Sequence, residues 1–220
     1  MKPLIVGLGG TLRSGSSSET AMELALEAAR DRGAETLSFT AKDLQLPHYD
    51  PSARERTVDQ QRLVDAFRRA DGLILSSPGY HGAVSGLIKN ALDHAEDLAR
   101  DDRVYFSDLP IGCIGVAYGT QAATSVVQNL RTIVHALRGM PTPYGAAVVI
   151  AETNYRQGEW IDPGTRAGLI LVGTQVSTLA AALAPHLRPA SIALRSEAGR
   201  GSLGESGRGT CATETPHLRA

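Results

Sequence analysis

Cysteine is nearly missing from this 220-residue chain: Cys113 lies in an apolar run and Cys211 in a polar stretch, and there are no others. Two such residues make neither a disulfide framework nor a thiolate metal cluster, and they fit a reducing compartment. An excess of charge is missing too. Twenty-two Lys and Arg oppose 23 Asp and Glu, a formal net charge of −1, so no general pull toward nucleic acid or an anionic membrane is expected. Long apolar runs are scarce. The run Leu4-Ile5-Val6 stops at once in a glycine-rich stretch, short of the core of a secretion signal. No segment reads as approaching the ~20 apolar residues of a membrane span. No internal repeat, no GxSxG elbow and no HExxH helix is present, and the six histidines, among them His48, His81 and His94, are not spaced as a metal site. These absences lead to the expectation of a soluble, cytoplasmic, globular protein.

What is present is an alternation. Short runs, apolar throughout, occur at Leu4–Leu8, Thr36–Thr40, Gly72–Ser76, Ile111–Ala117 and Ala146–Ala151, the pattern of strands covered on both faces. Amphipathic stretches separate them. Ala21, Leu24, Ala25 and Ala28 form one helical stripe; Leu63, Phe67 and Ala70 mark a second; Leu87, Ala91, Ala95 and Leu98 a third. Val126, Leu130, Ile133 and Leu137 form the fourth, and the last helix is read over Ala167 to Leu183. Repeated β-α units of this kind predict an α/β fold, a doubly wound five-stranded parallel sheet with helices on both faces. The domain is read over 1–184. The remaining 36 residues, 185–220, are rich in Gly, Ser, Arg and Ala, with five Arg against three Glu, and are read as a polar, disordered tail.

In such a sheet the ligand lies beyond the carboxyl ends of the strands. After the first strand come Thr11, Arg13, Ser14, Ser16, Ser17 and Ser18, running straight into a helix. Hydroxyls, one cation and the free amides of a helix N-terminus suit a phosphate monoester. The plainer alternative is a cap, since Ser16 with Glu19 makes a capping box; a cap, however, needs one hydroxyl. Two other phosphate loops are excluded: there is no lysine for GxxxxGK[ST], and Leu12 occupies the last glycine position of GxGxxG. After the third strand, Pro78, Gly79 and Gly82 predict a loop, with Tyr80 and His81 as planar side chains. Lys89, Asn90 and Asp93 follow as a polar helix face, for capping or subunit contact. After the fourth strand, Tyr118, Gly119 and Thr120 predict a further turn before a helix. One loop for phosphate and two for a flat polar ring describe a flavin mononucleotide pocket.

On these residues the chain resembles the NADPH-dependent FMN reductase family over roughly residues 3–183. The family's first loop, approximately GS-x-R-x-x-S-x-N/S, is matched by Gly10-Thr11 and by Arg13, Ser16 and Ser18. Its second motif, PEYN-x-x-x-x-G-x-LKNALD, is matched by PGYHGAVSGLIKNALD, with Gly79 in place of the acid and His81 in place of asparagine. The resemblance implies a flavodoxin-like strand order 2-1-3-4-5, homodimers or homotetramers, bound FMN, and NADPH or NADH as hydride donor. By the same resemblance, reduced flavin would serve a flavin-dependent monooxygenase or a small-molecule, quinone-like acceptor. Thr11, Arg13, Ser16, Ser17 and Ser18 are expected on the phosphate. Pro78, Gly79, Tyr80 and His81 are expected along the ring edge, and Tyr118, Gly119 and Thr120 at its pyrimidine end. No catalytic side chain and no metal is expected, because the flavin carries the chemistry. Two other readings use the same loops: an electron-transfer flavodoxin, and a non-enzymatic flavin-binding protein.

Overall fold

A computed structural model describes residues 2–151, 155 and 160–187. Cys211 and all but the first three residues of the expected tail lie outside them. Strands β1 (Leu4–Gly9), β2 (Glu35–Phe39), β3 (Gly72–Tyr80) and β5 (Pro110–Ala117) run parallel in the order β2-β1-β3-β5. The next position is shared by two short strands. β6 (Met140–Pro141) pairs with the start of β5, and β7 (Ala146–Val149) with its end. The predicted order 2-1-3-4-5 is therefore present, with its fifth member interrupted. Every residue of β5 is buried, as are the first six of β3, which is why these segments are apolar without alternation.

Helices α2 (Val58–Arg69), α3 (Gly86–Asp93) and α4 (Thr120–Ala136) cover one face, where Phe39, Leu63, Phe67, Ile88, Phe106 and Leu130 share a core. Helices α1 (Ser17–Asp31) and α5 (Pro163–Leu187) cover the other, around Ile5, Met22, Leu26, Ile74, Val172 and Val176. Helix α1 is buried more widely than its predicted stripe. Met22, Leu26 and Ala29 are inaccessible alongside Ala21 and Ala25, because α1 packs on the sheet and, along its side, against α5, which lies on the sheet next to it. The two helices touch closely: a Cβ at Gly173 of α5 would lie 1.9 Å from the Ala25 carbonyl oxygen.

Four expectations need correction. Strand β3 does not end at Ser76; it continues through Pro78 and Gly79 to Tyr80, then turns back through β4 (Ala83–Val84). His81 and Gly82 form the two-residue turn with φ of 52° and 84°, the signs a type I′ hairpin demands. The third helix does not keep one period, since α3 tightens to a 3-10 turn over His94–Leu98. The last helix begins at Pro163 and carries through Pro185 to Leu187, past the boundary read at 184. That helix is also long and apolar enough, by length and composition alone, to pass for a membrane span over Pro163–Pro185. One side of it serves packing, with Leu169, Val172, Val176 and Ala180 fully buried in the second core, while Leu171 and Leu179 are exposed on the other.

Candidate functional site

The parallel register brings the ends of β1, β3 and β5 to one edge: Gly9 pairs with Ser76, and Pro78 with Val116. At the first of these ends Thr11 Oγ1 accepts from the Arg13 amide at 3.0 Å, a local turn that holds the arginine's backbone. The Arg13 side chain is exposed, and among the described residues no carboxylate pairs with it. Ser16 is the N-cap of α1, its Oγ accepting from the Glu19 amide at 3.3 Å. The expected capping box is only half made, because the Glu19 carboxylate accepts from Gly15 N (3.2 Å) and not from the cap residue. Burial raises the Glu19 pKa, against the lowering effect of the Gly15 amide, while Glu23 and Asp43 add to the rise. Ser17 opens the helix half-buried. Ser18 is buried with its Oγ 3.4 Å from that of Ser16, and its carbonyl accepts from Ser76 Oγ at 2.8 Å.

The second and third ends lie side by side. A Cβ at Gly79 would meet Val126 at 3.0 Å and Ala117 at 3.2 Å, so the absent side chain lets β3 run against α4. That is where the motif has an acid, and here a larger side chain has no room without a shift of α4. Ser77 closes the hairpin: its Oγ accepts from Ser85 N and donates to the Pro78 carbonyl, both at 2.9 Å. Tyr80 is 52% exposed and Tyr118 79% exposed, flanking this edge. His81 stands at the exposed hairpin tip. Gly119 is the N-cap of α4 with φ −123° and no side-chain cap, so the amides from Thr120 onward start the helix uncapped. This backbone is ordinary and extended, and the turn expected here from Gly119 needs no glycine.

Thr11, Arg13 and Tyr80 line one cavity of about 490 Å3 together with Leu12, Ser85 and Leu87. Ser16, Ser17, Ser18, Pro78, Gly79, His81, Tyr118, Gly119 and Thr120 stand outside its lining. The remaining wall was not anticipated: Gln45, Leu46 and His48, from the connection after β2, complete it with Asn90. Asn90, expected on a polar helix face, holds that connection in place. Its Oδ1 accepts from Tyr49 N at 2.9 Å, and its Nδ2 donates to the carbonyls of Pro47 (3.1 Å) and Leu46 (3.4 Å). His94 supports Asn90 from beneath. It is fully buried, with Nδ1 2.8 Å from the Asn90 carbonyl and Nε2 2.8 Å from the Gln60 amide nitrogen. Gln60 Oε1 accepts from Thr57 N in the capping box of α2, so its amide nitrogen donates and the imidazole is assigned as the neutral Nδ1–H tautomer. Lys89 and Asp93, the other polar residues of this helix, form an exposed ion pair. Replacing Asn90 with alanine is expected to destabilise the protein by about 1–3 kcal/mol, because the Tyr49 amide and two carbonyls lose their partner. Hydrogen exchange at the Tyr49 amide should quicken well before global unfolding; protection equal to the parent protein would disprove this role.

A larger hollow of about 630 Å3, lined by Thr20, Glu23, Leu24, Glu27, Arg30, Trp160 and Arg166, collects none of the motif residues. Cys113 on β5 plays no part at the edge either. Burial pushes its thiol up to about 12, leaving it un-ionised and inert near neutrality.

Residues 3–154 match the family model for NADPH-dependent FMN reductases. The chain belongs to this family. An FMN-dependent NADPH-azoreductase of Staphylococcus saprophyticus is 37% identical over 105 residues, which is 48% of this chain and 50% of that protein. The protein of the same name from Staphylococcus aureus is 40% identical over 93 residues, 42% and 46% of the two chains. The chain thus spans about half the length of the curated relatives it matches. Among solved structures, the flavoenzyme NAD(P)H:(acceptor) oxidoreductase of Paracoccus denitrificans superposes with a TM-score of 0.64 at 21% identity, covering 82% of this chain and 97% of that one. That likeness is one of fold: this FMN reductase family member is a flavodoxin-like α/β protein. The matched span closes before α5, short of residue 183, where the likeness read from the motifs ends, although α5 completes the core behind the site.

Proposed function

We propose that the protein is an NAD(P)H-dependent FMN oxidoreductase, with FMN seated across the three loops at the carboxyl edge of the sheet. The observation that carries this is the arginine-and-hydroxyl turn at the N-terminus of α1, set on the same edge as the exposed rings of Tyr80 and Tyr118. The donors fit the group. Arg13 supplies a free cation, Thr11, Ser16, Ser17 and Ser18 supply hydroxyls, and the first turn of α1 supplies amides and the positive end of its dipole for a phosphate. Pro78, Gly79, Tyr80 and His81 form a narrow wall against a flat ring, kept close to α4 by the missing side chain at 79. Tyr118, Gly119 and Thr120 present the uncapped amides of α4 to the ring's pyrimidine end, where a donor stabilises negative charge. FMN held by these residues would supply the redox chemistry, taking hydride from the nicotinamide, while the residues themselves bind and orient it.

The same reading has the protein cytoplasmic and assembled as a homodimer or homotetramer. It passes electrons to a partner monooxygenase or a quinone-like acceptor, and azo compounds join the acceptors to assay because the staphylococcal relatives are named for them. The polar stretch 185–220 stays outside the chemistry. The test is NADPH oxidation by the purified protein with and without added FMN. Turnover by protein that is already yellow marks a prosthetic flavin and directs the search to quinones and azo compounds. Turnover only with added FMN marks a flavin reductase serving a partner. Absence of turnover in both overturns the enzyme and leaves a flavin-binding protein.

A further inference from the structure

We propose that Tyr155 is a positioning residue for the phosphate-binding turn. It lies one residue beyond the family-matched span and 135 residues from Thr20 of α1, which it touches. Its Oη sits 2.6 Å from Thr20 Oγ1 and 3.4 Å from the Gly15 carbonyl oxygen. Thr20 in turn reaches back along α1, its Oγ1 2.8 Å and its amide 2.9 Å from the Ser16 carbonyl. The shortest pairs are satisfied together when Thr20 gives its proton to Ser16 and Tyr155 gives its proton to Thr20, with the Gly15 carbonyl as a weaker second acceptor.

One phenol therefore ties down two successive residues of the turn, Gly15 directly and Ser16 through Thr20. The geometry of the peptide bond gives this its force. Gly15 takes φ of 69° and has nothing within 4 Å of where a side chain would start; Glu19 holds its amide at 3.2 Å, which leaves the carbonyl side of the residue to Tyr155. The peptide that carries the Gly15 carbonyl also carries the Ser16 amide, on the opposite side of a rigid plane. Holding the carbonyl thus fixes the direction in which that N–H points, and Ser16 begins the run of hydroxyls and amides assigned to the phosphate. The tyrosine is itself anchored: its ring lies 4.5 Å from that of Trp160, which is buried, and packs on the core shared by α1 and α5. Removing the hydroxyl frees the turn to sample other orientations, and a ligand phosphate must then restore the bound one at its own expense.

This inference rests on the FMN reading, and riboflavin, which has the ring without the phosphate, separates the two. FMN and riboflavin binding to flavin-free wild-type and Tyr155→Phe protein are measured by calorimetric titration, with thermal midpoints and with kcat and KM for NADPH oxidation at saturating FMN. The expected result is FMN affinity lower by roughly five- to tenfold, the usual worth of a neutral hydrogen bond. Riboflavin affinity and kcat should stay within twofold. Thr20→Val, which removes the other partner, should weaken FMN in the same direction, and the double variant should lose less than the product of the two single losses. Wild-type FMN affinity in Tyr155→Phe, or an equal loss for riboflavin, overturns the positioning role and leaves the FMN reading standing. A wild-type protein that binds no FMN overturns both.

Discussion

Replacing Arg13 with alanine is expected to raise the dissociation constant for FMN by roughly ten- to a hundredfold, about 1.5–3 kcal/mol, the range of a charge-assisted hydrogen bond. Three features place the effect at this size. The guanidinium is unpaired with any carboxylate among the described residues, so its removal leaves no orphaned charge to disturb the fold. Its backbone is held by Thr11 independently of the side chain, so the turn survives the substitution. Because it is exposed, its contribution should also be screened, and FMN affinity of the parent protein should fall as salt rises whereas that of the variant should fall less. Arg13→Lys should recover only part of the loss, since an ammonium keeps the charge and gives up the fork that grips two phosphate oxygens. Titration of FMN across these variants at two salt concentrations is the check. An Arg13→Ala protein that binds FMN like the parent would remove the phosphate from this turn.

The second large effect concerns the fold beneath the site. Gly173→Ala places a methyl group 1.9 Å from the Ala25 carbonyl oxygen, at the closest approach of α1 and α5. Two forces oppose each other here. Alanine is better than glycine inside a helix by about 1 kcal/mol. Overpacking against a well-filled neighbour costs about 1–3 kcal/mol, and more where the neighbour is backbone and cannot swing aside. The clash wins, so the protein should lose about 2 kcal/mol or more. For a domain of this size that lowers the thermal midpoint by roughly 4–8 °C. Gly86→Ala, at a helical position with nothing within 4 Å, is the control and should not lower it. A Gly173→Ala protein as stable as its parent would mean that the two helices stand further apart than described. FMN binding should weaken in step with stability, because α1 carries Ser16, Ser17 and Ser18 at its N-terminus.

Most of the architecture is legible in the chain because each buried strand is apolar on both sides and each helix repeats its stripe. The five runs fall within a few residues of β1, β2, β3, β5 and β7. What escapes the one-dimensional pattern depends on neighbours far along the chain. Pro78 and Gly79 read locally as a loop, yet β3 continues through them because α4 presses from the side and β4 returns to pair. Met22 and Leu26 lie off the stripe read for α1, and they are buried because the side-chain-free Gly7 of β1 lets them pack onto the sheet. At the site, the hydroxyls and the arginine after β1 are visible as composition. The wall of Gln45, Leu46 and His48 is not, since those residues carry no motif and reach the cavity only through their tether to Asn90. The Lys89-Asn90-Ala91-Leu92-Asp93 run carries the family resemblance, but its physical role, a clamp on the connection after β2, depends on backbone groups 41–44 residues away.

The pairing of α1 with α5 also has a meaning in time. The two helices are far apart along the chain, and at 5–20 residues per second a ribosome needs roughly 7–30 s to pass from one to the other. Through that interval Met22, Ala25, Leu26 and Ala29 have the sheet on one side and no helix on the other. Until α5 is made, the nascent chain therefore holds α1 half-dressed, and this is the surface on which a chaperone would find purchase.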